Sequence, residues 1–324
     1  MAPSSNEAAA REAIISAQPA KASRFAPSNH GKKWRFWAAA CFLIVLVAAF
    51  GQSLFALTNY AARSDLYSYI LLVPFVSGYL LYIRRHQFPK NYVTDFPLAI
   101  VLLVAAAGML VFSYGSHLEA KMPIQPERLA LLTLSFLCCV AAVGFFFFGR
   151  DWMRSAAFPL AYLIFMVPMP DPMRDALESA SKSASAEVAN LFFHLSGTPF
   201  LRQGAIFQLP NITVEVAQEC SGIRSSLVLV MTSILAANLF LKTSWRRIVL
   251  VAFVIPLGIL RNGFRILVIG LLCANIGPQM IHSPIHTRGG PLFFVLSLVP
   301  FLLLLLWLHR SEARTRPMEA PSTS

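Results

Sequence analysis

The run 36–57 is apolar almost throughout, and comparable runs recur to the end of the chain. A helix of about 20 such residues matches the roughly 30 Å apolar thickness of a bilayer. A run with no polar face cannot sit on the surface of a soluble domain. The pattern therefore predicts helices that cross a membrane, where an intact helix satisfies every backbone amide from within. Eight runs read as spans: 36–57, 66–83, 96–114, 129–148, 155–167, 222–241, 248–274 and 292–308. The expected fold class is all-α, a polytopic transmembrane helical bundle of eight spans with an outer loop region between spans five and six. One large soluble helical core is the competing reading, and 56% hydrophobic residues against 13% charged argues against it.

Three regions follow from this pattern. Residues 1–34, rich in Ala, Ser and Pro, read as a disordered basic cytoplasmic tail. Residues 35–309 form one transmembrane domain, and 310–324 a second cytoplasmic tail. The first tail is too long and too polar for the short leading region of an ordinary signal peptide. Span five runs into Pro168, Pro170 and Pro172, which stop a helix because each lacks an amide donor. Residues 173–197 have helical character with many polar positions, as an interfacial or extramembrane helix would. In 203–216 the alternation Ile212, Val214, Val216 suggests a short extended segment or hairpin.

Lys and Arg near span ends set the orientation. With the N-terminus inside, Lys32, Lys33, Arg35, Arg84, Arg85, Arg150, Arg154, Lys242, Arg246, Arg247, Arg310 and Arg314 all fall on the inner side. The outer side holds fewer: Arg63, Lys121, Arg128, Arg174, Lys182, Arg202, Arg224 and Arg288. Both termini are thus expected in the cytoplasm of a plasma (inner) membrane. The net charge of +12 is explained by orientation, and no basic stripe interleaved with aromatics points to nucleic acid.

This orientation carries three polar residues to the outer half. Cys220 precedes span six, in Glu219-Cys220-Ser221-Gly222-Ile223-Arg224. Arg265 lies in span seven, 17 residues beyond Ile248 and so about 25 Å from its inner end. His286 lies in the next outer loop. A thiol at a helix start is favoured as thiolate by the helix dipole and by any nearby cation. A guanidinium stabilises charge on a carbonyl oxygen, and an imidazole moves protons near neutral pH. Each residue also has a plainer reading. Cys220 fits a packing cysteine, and His286 a solvated loop residue with His282 as competitor. Arg261 and Arg265, on one helix face, fit buried charges that fix packing against Glu187 or Glu219. Cys41, Cys138, Cys139 and Cys273 sit in or near apolar runs and read as inert. No cofactor is implied, and His282 with His286 lacks a third metal ligand.

Together the three residues match a family pattern. Glu219-Cys220-Ser221-Gly222-Ile223-Arg224, then Asn262-x-x-Arg265, then His286-x-x-x-Gly290 resembles the exosortase/archaeosortase family of membrane cysteine transpeptidases. Asp65-Leu66-Tyr67-Ser68-Tyr69 with Leu72-Val73-Pro74, and Phe158-Pro159 through Met166-Val167-Pro168-Met169-Pro170, extend the likeness over 65–294. Arg261 and Arg288 depart from the pattern as extra cations. The resemblance implies a cysteine peptidase with Cys220 as nucleophile, Arg265 as oxyanion or carbonyl ligand and His286 as proton shuttle. It also implies substrates: exported proteins ending in a short motif, an apolar helix and a basic end. Glu219 and Arg224 are expected to orient the site.

Three other functions fit a polytopic membrane protein. Arg261 and Arg265 could line an anion pathway, but no duplicated halves or paired broken helices accompany them. A polysaccharide-assembly subunit without chemistry would leave Cys220 unexplained. A lipid-linked sugar transferase wants an acidic or metal-binding motif that the outer segments lack.

Overall fold

The computed structural model describes residues 29–89, 92–115, 126–210, 212–215, 222–277, 279–280 and 290–314. Of the expected tails, 1–34 and 310–324, residues 1–28 and 315–324 lie outside the described residues, while 29–34 and 310–314 are helical. The chain is helical along most of the described length. In order it forms α1 (Asn29–Ala49), α2 (Gly51–Arg63), α3 (Val73–Arg84), α4 (Phe96–Gly115), α5 (Pro126–Phe147), α6 (Gly149–Ser155), α7 (Ala157–Tyr162) and α8 (Asp171–Leu195). A three-stranded antiparallel sheet follows, β1 (Leu201–Gln203), β2 (Ile206–Leu209) and β3 (Ile212–Glu215), in the order β1-β2-β3. Then come α9 (Ile223–Phe240), α10 (Ser244–Asn275) and α11 (Gly290–Arg314). The expected all-α membrane bundle is the architecture found, with the sheet as a small addition where the alternation of Ile212 and Val214 had suggested extended chain.

Among the described residues five helices are long and apolar enough to cross a bilayer: α4, α5, α9, α10 and α11. The pair α1–α2, bent by 67° where Ala49 meets Gly51, has the length and composition for a sixth when its two helices are taken as one span. The two remaining runs are short. The expected span 66–83 divides into a 3-10 turn, Ser68–Leu71, and α3. Pro74 stands in the first turn of α3, where its missing amide leaves no bond unmade. The expected span 155–167 becomes α7 and a 3-10 turn, Leu163–Met166, that ends as the prolines predict. These short elements pack on each other, and the Ser77 hydroxyl donates to the Pro159 carbonyl at 2.7 Å. Leu57, Tyr67, Ile70, Tyr162, Met166 and Met231 form the core around them.

Contacts between connecting segments divide into two sets. At one end Arg35 donates to the Tyr92 carbonyl at 3.0 Å, Phe88 stacks on Trp152 at 4.8 Å, and Arg84 bonds Asn238. Glu312 belongs to the same end. Its carboxylate accepts from the backbone amides of Lys242 and Thr243 at 3.0 and 2.7 Å and from the Thr243 hydroxyl. It thereby caps α10 from the last turn of α11. At the other end Tyr67 donates to the Met169 carbonyl at 3.1 Å, and the Asp171 amide donates to Glu127 at 3.1 Å. Arg224 pairs with Asp65 there at 3.2 Å.

Helix α10 is the central member. At 32 residues it is about 48 Å long, more than a bilayer's apolar thickness, so it tilts or projects. It packs between α8 and α9. Glycines permit the approach: a Cβ at Gly263 would lie 2.5 Å from Val188 Cγ1 and 3.1 Å from the Ala189 amide, and one at Gly270 2.6 Å from Phe193. Against this seam Phe193, Phe207, Leu209, Val214 and Ile266 make one core, which joins the sheet to α8 and α10. Helix α8 is thus fastened to a membrane helix along its second half, while Met173, Leu177, Leu191 and Leu195 stay exposed.

Gly263→Ala should force a stiff β-branched neighbour to move and cost about 1–3 kcal/mol. The thermal midpoint in detergent should fall. Gly78→Ala, where an added Cβ meets nothing within 4 Å, should leave it unchanged or slightly raised.

Candidate active site

The site begins with a buried cation. Arg261 is 7% exposed and stands inside an apolar helix. Its guanidinium donates to the Gly222 carbonyl at 3.2 Å and to the Ser226 hydroxyl at 3.1 Å. Both acceptors belong to the start of α9. Asn262, 2% exposed, packs against the same glycine. Of the two partners in the plainer reading of Arg261, Glu187 is engaged elsewhere, in a bidentate pair with Arg202 across α8 and β1, and Glu219 lies outside the described residues. That pair holds the Glu187 carboxyl below its usual pKa.

Gly222 is required here twice over. Its φ of +70° lies in the left-handed region that side chains disfavour. A Cβ would also sit 2.8 Å from Asn262 Oδ1 and 3.4 Å from Arg261 Nη2. Backbone shape and tight packing together fix where the chain enters α9.

Arg265, one turn beyond Arg261, does something different. It is half-buried and lines a cavity of about 800 Å³. The wall also carries Gly222, Arg224, Arg174, Glu178 and Gly290. Four parts of the chain therefore meet there: the segment after α2, the first turns of α8, the start of α9, and α10 with the start of α11. Arg224 reaches across to Asp65 at 3.2 Å, so its expected orienting role takes the form of a tie between α9 and the segment after α2. Arg174 pairs with Asp171 at 2.8 Å and Asp175 at 3.0 Å. Burial opposes its charge, but the Asp175 hydrogen bond and the Asp171 carboxylate outweigh that and raise its pKa.

Cys220 and His286 lie outside the described residues, as do Glu219, Ser221, His282 and Arg288. The residues that follow them in sequence, Gly222 and Gly290, are both in the cavity wall with Arg265. The wall also contains Arg174, Asp175 and Glu178, which sequence reading had placed only as polar positions of an interfacial helix. Their spacing over one turn was the available signal. Among the described residues no three His, Cys, Asp or Glu side chains are grouped as a metal site.

Gly222→Ala should disturb the entry to α9 through its left-handed backbone, at about 1–2 kcal/mol, with the Asn262 contact in addition. Amide hydrogen exchange over the first turns of α9 should quicken, while exchange in α4 stays as it was.

No curated protein and no solved structure matches the chain. Residues 58–303 do match a family described as transmembrane exosortase (Exosortase_EpsH), and that stretch contains every element that walls the cavity. With well over half its length matched, the chain belongs to the transmembrane exosortase family.

Proposed function

We propose that the chain is a membrane-embedded cysteine transpeptidase or protease. In this reading it cleaves the C-terminal sorting signals of exported proteins through a thioester on Cys220. One observation carries the reading: the cavity that Arg265 lines is walled by the residues that follow both Cys220 and His286. Two residues of chain reach no more than about 7 Å, so Cys220 cannot be far from Gly222. His286, four residues before Gly290, is held within about 14 Å by the same arithmetic.

The local electrostatics favour a thiolate. The helix dipole at the start of α9 and the guanidinium of Arg261 both place positive potential beside Gly222. Sγ attacks the scissile carbonyl carbon, and Arg265 stabilises the charge that develops on its oxygen. His286 returns a proton to the leaving amine as the C–N bond breaks. An incoming amine then resolves the thioester by transfer, or water does so by hydrolysis.

Charge bias supports an even number of crossings with both termini inside. The two sets of segment contacts agree, because segments assigned inside touch each other and segments assigned outside do likewise. A substrate helix would then lie among the spans with its basic end inside and its motif at the outer cavity.

A membrane-impermeant maleimide should label Cys220 from the outer face of intact cells. Cys220→Ser should abolish processing of an exported protein bearing such a signal, with insertion unchanged. Retained processing in Cys220→Ser would end the proposal. Arg265→Ala should slow cleavage about 10²-fold, the equivalent of roughly 3 kcal/mol for one lost oxyanion donor.

A further inference from the structure

The charged side chains of the cavity wall are not equivalent. Arg174 is held by Asp171 and Asp175, and Arg224 by Asp65. Glu178 is half-buried in the same wall, one turn along α8 from Arg174. Among the described residues its carboxylate has no ion pair and no hydrogen bond. The neighbouring Asp175 faces the cavity as well, but its charge is already taken by Arg174.

We propose that Glu178 is the acceptor subsite of this cavity, where its carboxylate holds the primary ammonium group of the incoming nucleophile. The inference rests on the transpeptidase reading and adds to it the chemical class of the second substrate. A carboxylate sheltered from bulk water attracts a cation more strongly than one on an open surface. A primary ammonium also supplies three N–H donors to it. Placement in the wall that Arg265 shares raises the local concentration of amine over water, which is the condition for transfer to outrun hydrolysis.

The step balances as follows. The held ammonium gives one proton to solvent. The freed nitrogen lone pair bonds to the thioester carbon. The C–S bond breaks with its electron pair on Sγ of Cys220, and the surplus proton on the new amide nitrogen goes to the imidazole of His286. Glu178 remains a carboxylate throughout, so it acts by positioning and does not enter the covalent chemistry.

The test needs no identified substrate. The full-length protein in lipid nanodiscs is reacted with methyl methanethiosulfonate, a neutral thiol reagent, and Cys220 modification is followed by mass spectrometry. Ethanolamine, whose amine is cationic at neutral pH, is added as the probe. It should slow the modification in the unaltered protein with saturation in the millimolar range. Glu178→Gln should raise the half-protecting concentration at least fivefold, with the rate in the absence of amine within twofold. Asp175→Asn should leave the protection in place, and Glu178→Asp should restore part of it. Protection that is absent in the unaltered protein, or equal in Glu178→Gln, would overturn the acceptor subsite. The transpeptidase reading fails by a separate result, processing that survives Cys220→Ser.

Discussion

A guanidinium inside an apolar helix has to find acceptors, and Arg261 finds them at the start of α9. Leaving such a charge unanswered at membrane depth would cost several kcal/mol. The bond to the Gly222 carbonyl therefore does more than join two helices. It fixes the point at which the chain enters α9, two residues after the proposed nucleophile. Ordinary helix electrostatics disfavour a cation at an N-terminus. Here that adverse placement adds to the positive potential of the amides, which is what a thiolate would need. Arg265, a turn away, is left to face the cavity.

The sheet and α8 are organised around the same helix as Arg261, α10. Gly263 and Gly270 remove the side chains that would keep α8 off α10, so an amphipathic helix lies directly against a membrane-spanning one. The sheet packs on that pair through Phe207, Leu209 and Val214. Lys182 of α8 and Glu215 at the end of β3 stand 3.7 Å apart beside it. β3 thus ends at Glu215 on a packed platform. The cavity is shared between elements distant in sequence, from Asp65 to Phe294.

Much of this was legible beforehand, because its causes are local. The apolar runs that became α4, α5, α9, α10 and α11 have the length and composition of bilayer helices on their own. The prolines after Met166 and the alternation at Ile212 and Val214 are equally local signals. What escaped was tertiary. Arg261 and Arg265 share a helix face by spacing, and no pattern told which of them would meet α9 and which the cavity. The 67° bend between α1 and α2 has no proline to announce it. The pairing of Glu187 with Arg202 depended on a sheet whose register no run of residues specified. The cavity wall contributed by Arg174, Asp175 and Glu178 depended on how α8 crosses the bundle.

Glu312 joins α10 and α11 at the end away from the cavity, and each of these helices contains an internal proline, Pro256 and Pro300. Two rods pinned together at one extremity cannot slide lengthwise past each other. Toward the cavity they touch again through the rings of Phe264 and Phe293, 6.3 Å apart, and bending in between is easiest where a proline has removed a backbone hydrogen bond. The pair therefore behaves as a braced strut, clamped at one extremity and touching again beside the cavity, so that a push on either rod is shared by both.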